Sequence, residues 1–216
     1  MPVQKMATRA VCLCCIIAVS FLSSAGAQLP AEVLHQGEQL FLDAKISESI
    51  AAFDKVIELR PEAKPQLWQR GLALYYADKF AEGRAQFEAH QTVNKADVEN
   101  AAWHFLCVAR LEGVESARKH LIPIEGDTRV PMKEVYELFA GRGTEAAVLE
   151  AAANGPGAYE TRTQLCFAHL YLGLYYEALK DTAKAKEHML KAANDYCTEL
   201  YMGQVARVHL KVRGWE

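Results

Sequence analysis

Apolar residues recur along this chain at helical spacing, in paired runs split by short polar breaks. The run over 66–77 has no internal proline, and Phe80, Gly83, Phe87 and His90 mark one face of the next run, over 80–93. Asp78-Lys79 is the break between them. A period near 3.6 on both sides of a polar turn predicts helix, turn, helix. The same pair is predicted at 31–43 and 46–59, ended by Arg60-Pro61, and at 166–179 and 182–194, where Asp181 is placed to cap the second helix. Two shorter helices are predicted near 131–140 and 144–153, around Gly141-Arg142-Gly143, with Thr144 as an N-cap. Asn154-Gly155-Pro156-Gly157 reads as a loop. A last helix over 198–212 would turn Val205, Val208 and Val212 inward and Arg207, Lys211 and Arg213 to water.

The helix pairs repeat with a fixed period. Gly37 and Gly71, Leu40 and Leu74, and Phe53 and Phe87 are each 34 residues apart. Gly173 follows Gly71 by 102 residues, three such periods, and Ala185 follows Ala117 by 68, two periods. A single helix pair cannot bury its apolar face alone, so a repeat of this length implies stacking of neighbouring pairs. The expected fold is all-α, a superhelix of stacked antiparallel helix pairs with about 10–11 helices, an irregular middle and a C-terminal capping helix. The repeats fall near 30–63, 64–97, 98–131 and 166–199, with an irregular slot at 132–165 and the cap at 200–216.

The first 27 residues differ from the rest. Lys5 and Arg9 precede a run, 10–22, that is apolar except for Ser20, and Ser23-Ser24-Ala25-Gly26-Ala27 follows. That order predicts a secretory signal peptide, residues 1–27, cleaved after Ala27. The run falls short of the roughly 20 apolar residues of a stable membrane span, so no stable span is expected after cleavage. Cys12, Cys14 and Cys15 lie inside the apolar run rather than at its end, which disfavours lipidation. The expected mature chain, 28–216, keeps Cys107, Cys166 and Cys197. It carries 22 basic against 27 acidic residues, with no basic block, so a nucleic-acid binder is not expected. An export route makes periplasmic or secreted localisation the expectation and a disulfide plausible, Cys166 and Cys197 being the first candidate pair.

These repeats resemble the tetratricopeptide repeat (TPR) family. Leu172-Gly173 and Tyr176 match its first helix, and Ala185, Met189 and Ala192 match its second. Gly37, Leu40, Phe53 and Pro61 match in the first unit, and Gly71, Leu74 and Phe87 in the second. Phe105 stands where glycine belongs in the third, which keeps Ala117 and Leu121. The stretches Gln69-Arg70-Gly71-Leu72-Ala73-Leu74-Tyr75-Tyr76 and Tyr171-Leu172-Gly173-Leu174-Tyr175-Tyr176 further resemble the bacterial NlpI-type TPR lipoproteins. That resemblance implies an export-side adaptor that docks envelope proteases or cell-wall enzymes. The missing lipidation cysteine sets this chain apart from that pattern.

The TPR resemblance implies a concave groove lined by first helices and holding a protein or peptide. Trp68, Tyr75, Trp103, Arg110 and Tyr171 are the expected groove residues, while Phe87 and Tyr176 are expected in the core. The inner positions that would grip a chaperone tail hold Leu34, Glu38, Trp68 and Leu72 instead of Lys and Asn, so that clamp is not expected. His104 with Cys107, and Cys166 with His169, are three apart and could each offer two ligands to zinc. Burial of these residue types in a helical core is the stronger expectation. No phosphate loop, H-E-x-x-H or G-x-S-x-G motif occurs. The expectation is a binding scaffold with no enzymatic activity and no cofactor. A metal or enzymatic protein built on the His/Cys set, and a self-associating structural subunit, are the alternatives.

Overall fold

The computed structural model describes residues 18–196 and 199–216, and of 18–29 only the helical backbone. The predicted signal peptide therefore falls largely outside the described residues, as does Cys197 of the candidate disulfide. Among the described residues the secondary structure is helical throughout, with eleven α-helices and two short 3-10 or π segments. No helix among them is long and apolar enough to cross a membrane.

Helices α1 (Ala18–Leu42) and α2 (Ile46–Leu59) form the first antiparallel pair; α3 (Trp68–Tyr76) and α4 (Phe80–Gln91) form the second. Helices α5 (Val98–Glu112) and α6 (Val114–Lys119), then α7 (Met132–Phe139) and α8 (Glu145–Ala153), then α9 (Ala158–Ala178) and α10 (Thr182–Leu190) follow. Each pair packs on the next, and α11 (Tyr201–Arg213) closes the chain.

The sequence period reappears as repeated geometry. A Cβ on Gly37 would lie 3.0 Å from the Phe53 ring, one on Gly71 2.5 Å from Phe87, and one on Gly173 3.0 Å from Met189. In each unit a glycine on the first helix receives a large apolar side chain from the second. The turns repeat as well. Ala44, Asp78 and Lys180 all take positive φ, near 60°, at one phase of the period. In each turn the last residue donates five residues back: Lys45 N to Leu40 O, Lys79 N to Leu74 O and Asp181 N to Tyr176 O. These are Schellman closures, which satisfy the orphan carbonyls at the end of the first helix. Asp181 and Thr144 cap α10 and α8, accepting from the amides of Lys184 and Ala147.

The third unit departs where its glycine is lost. Phe105 cannot seat a ring from its own second helix; it packs edge-on against Phe139 of α7, with ring centroids 5.1 Å apart. Helix α6 stops at Lys119, and Leu121 lies beyond it. The chain then runs without helix to a cis Val130-Pro131 bond before α7. The irregular slot holds a true helix pair, α7 and α8, displaced from the period. Two boundaries differ from expectation: α9 starts at Ala158, directly after the loop, and α1 starts upstream of residue 31.

The terminal helix is not a solvated cap. Met202, Gly203, Val205, Ala206, Val208, His209 and Leu210 are buried, and within the helix only Arg207 and Lys211 are exposed. Helix α11 packs on α9, α10 and α1, so the last element touches the first. Arg213, expected in water, is largely buried against Glu177.

Candidate functional site

Closure of the fold moves most of the expected groove residues into the core. Tyr75, Trp103 and Tyr171 are all within 1% of full burial, so they do not form an open aromatic surface. The reason is that side chains of α5, α9 and α11 pack against Tyr75 and Tyr76 of α3. Trp103 stacks edge-on with Tyr75 and Tyr76. The Tyr171 hydroxyl donates to Glu99 on α5 at 2.6 Å, and the Tyr75 hydroxyl donates to Glu177 on α9 at 3.0 Å. Phe87 is core, as expected, whereas Tyr176 is only half-buried, its hydroxyl donating to Glu145. Arg110 lies elsewhere, over the Phe80 ring and paired with Asp78, beside an opening walled by Glu177 and Lys180. The five residues do not share one surface. Of the five, only Trp68 and Trp103 line a common cavity.

That cavity is the strongest candidate site. It encloses about 600 Å³ between Trp68, the start of α5, Phe167 and the start of α11 at Leu200–Met202. A second opening of about 420 Å³ adjoins it and shares Arg129, Phe167 and Leu200. Together they form a groove on one side of the molecule. Among the described residues seven large hydrophobic side chains are exposed, and four of them, Val93, Val130, Tyr159 and Leu200, line these two openings. Such clustering is the feature that distinguishes an interaction surface from scattered exposed leucines.

Charge and hydrogen-bonding groups complete the groove. Arg129 donates to Asp97 at 2.6 Å, to Asp127 at 2.7 Å and also to Glu99. This knot ties the loop before α7 to the first turn of α5, where Asp127 also accepts from the Val98 amide. Burial works against the charge on Arg129, but the three carboxylates more than offset it and raise its pKa. Burial also raises the Glu99 carboxyl above its ordinary range, against the pull of Arg129. Asn100 Oδ1 and Trp103 Nε1 beside the first opening, and Thr163 Oγ1 and Gln164 Oε1 beside the second, are buried without a protein partner. Asp97, Asn100, Arg129, Phe167 and Leu200 escaped the sequence reading because they lie at loop ends or off the first-helix faces that the repeat singles out.

The His/Cys set does not converge. His104 Nε2 lies 3.3 Å from Glu88 on α4, and Cys107 packs over Gly83 of the same helix. His169 Nδ1 lies 2.8 Å from Nδ1 of His188 on α10, and Cys166 Sγ lies 3.8 Å from the Ala192 carbonyl. Each pair thus faces the second-helix side of its own neighbourhood. No group of three or more His, Cys, Asp or Glu side chains among the described residues is arranged to hold a metal. Burial pushes the Cys107 thiol up, away from the reactive thiolate.

Buried histidines make the stability of the fold pH-dependent in a predictable direction. Burial, joined by the neighbouring His188, lowers His169 to about 4, and burial lowers His209 to about 4 although Glu177 lies nearby. Burial likewise lowers His104 and His188. A histidine whose folded pKa lies below its unfolded value stabilises the fold above about pH 6.5, and that contribution fades as pH falls toward the folded value. Urea midpoints should therefore fall steeply between about pH 6.5 and 4, and His209→Phe should flatten that slope. An unchanged slope in the variant would exclude His209 as a contributor.

No protein-family model matches the chain, and no curated protein is significantly similar to it.

Proposed function

We propose that this chain is an exported TPR-type scaffold that binds a protein partner and performs no chemistry of its own. The observation that carries the reading is the gathering of Val93, Val130, Tyr159 and Leu200 around one groove. The recurring glycine contacts and turn closures support the TPR assignment, because they repeat at the sequence period. The binding surface in this reading is the groove beside α5, α9 and the start of α11, not the buried aromatic face. An envelope protease or cell-wall enzyme is the partner class that the NlpI-type resemblance implies.

Site-specific photo-cross-linking tests this. A photoreactive residue at Val93, on the rim, should yield a discrete adduct with a partner in the host envelope. The same residue at Glu187, exposed on α10 away from the groove, should not. Equal labelling at both sites, or none at Val93, would remove the groove as the binding surface. An adduct of the chain with itself would replace the adaptor reading with self-assembly.

A further inference from the structure

Resting on that reading, we infer that the groove takes a short partner segment carrying both apolar and basic side chains. Three observations converge. The rim supplies apolar contact through Val93, Val130, Tyr159 and Leu200. The charged lining is unbalanced: Asp97, Glu99 and Glu160 face Arg129 as the one Lys or Arg lining the two openings, and Asp127 lies behind it. One guanidinium therefore stands against four carboxylates and is engaged by three of them, Asp97, Glu99 and Asp127. Lys95 is exposed on the neighbouring loop but lines neither opening.

The third observation concerns hydrogen bonds. Asn100 is 3% exposed, and its amide nitrogen already donates to the Phe87 carbonyl and to Gln91. Its Oδ1 accepts nothing, and neither does Gln164 Oε1. Both are amide oxygens that need donors, and an unsatisfied buried acceptor is a standing cost that a suitable ligand relieves. Ammonium, guanidinium and peptide N–H groups can satisfy these oxygens, while the unpartnered Trp103 Nε1–H beside the first opening calls for an acceptor such as a peptide carbonyl. These atoms are closed off from solvent, so a segment reaches them as the lining side chains part. Its basic groups meet the acidic rim first. Charge of this kind steers association and discriminates between partners more than it adds raw affinity.

The test uses the full chain and two synthetic heptapeptides with blocked ends, identical in their leucines and differing only in Lys against Glu. Fluorescence anisotropy of the labelled peptides reports binding. The Lys peptide should bind at least about tenfold more tightly than the Glu peptide, and its affinity should fall as salt rises. Glu160→Lys reverses a charge on an exposed side chain and should weaken the Lys peptide about fivefold. Glu58→Lys, exposed on α2, should leave it unchanged, and circular dichroism should show both variants helical. Equal or tighter binding of the Glu peptide, binding of neither peptide, or indifference to Glu160→Lys would overturn the inference. The cross-link at Val93 separates the two claims. A captured partner whose labelled segment lacks basic residues refutes the charge assignment and leaves the scaffold reading intact.

Discussion

Glu177→Ala is expected to destabilise the protein by about 3–5 kcal/mol, the cost of stripping one partner from a buried ion pair. Glu177 is the hub through which α11 is fixed. Its carboxylate accepts from Arg213 Nε at 2.6 Å and from the Tyr75 hydroxyl at 3.0 Å, and His209 Nε2 lies 3.9 Å away. The side chains of Glu177 and Arg213 are only 13% and 17% exposed. Removing the carboxylate strands a guanidinium that already has one buried nitrogen, NH2, without a partner. It also leaves the Tyr75 hydroxyl unpaired in the core. Replacing both charges, as in Glu177→Leu with Arg213→Met, should recover much of the loss, because nothing charged then remains buried. Urea unfolding of the two variants measures the difference. A loss below about 1 kcal/mol for Glu177→Ala would place the pair in water and undo its role as the anchor of α11.

Gly71→Val should cost about 3 kcal/mol, by forcing a side chain into space already filled. A Cβ at Gly71 would sit 2.5 Å from Phe87 Cζ and 2.7 Å from Cε1, and Phe87 is only 1% exposed, so its ring has no open side to retreat into. The alanine series tests the mechanism. Alanine gains up to about 1 kcal/mol over glycine from helix propensity, so the net sign depends on the clash. Gly71→Ala should be the most damaging. Gly37→Ala, at 3.0 Å from the Phe53 ring, should be nearly neutral. Gly173→Ala should fall between, since Met189 can flex but the Ala185 carbonyl, 3.2 Å away, cannot. Phe87→Leu should restore stability in the Gly71→Ala background while destabilising the wild type. Additive behaviour of that pair in a double-mutant cycle would show that the ring and the glycine are not in contact.

The two effects bear on different levels of the structure. Gly71 and Phe87 hold one repeat together, and Phe87 also lines the first opening, so damage there should lower stability and disturb that wall together. Glu177, on α9, ties α11 to α3. Loss of that anchor should also loosen the start of α11, where Leu200, Tyr201 and Met202 wall the cavity. A Glu177→Ala protein still folded in mild conditions should therefore give altered cross-linking from Val93, whereas Gly37→Ala, at a glycine–ring contact outside the groove, should not.

The amino-acid sequence by itself determined most of the helices, the 34-residue period and the short polar turns within the pairs. These are local, set by spacing within one or two turns or between the two helices of one unit. Helix α2 occupies the predicted 46–59, and Asp181 and Thr144 cap where their side chains required. The fate of the first-helix aromatics was decided only by tertiary structure. Tyr75 and Tyr171 lie at positions that an open superhelix would leave in a groove. Glu177 and Glu99, 102 and 72 residues away, draw their hydroxyls into the core. No local pattern encodes that closure. The burial of α11 arises from contacts between elements far apart in the chain. The candidate groove has the same origin, because Val93, Val130, Tyr159 and Leu200 come from four separate segments that only the packed fold brings together.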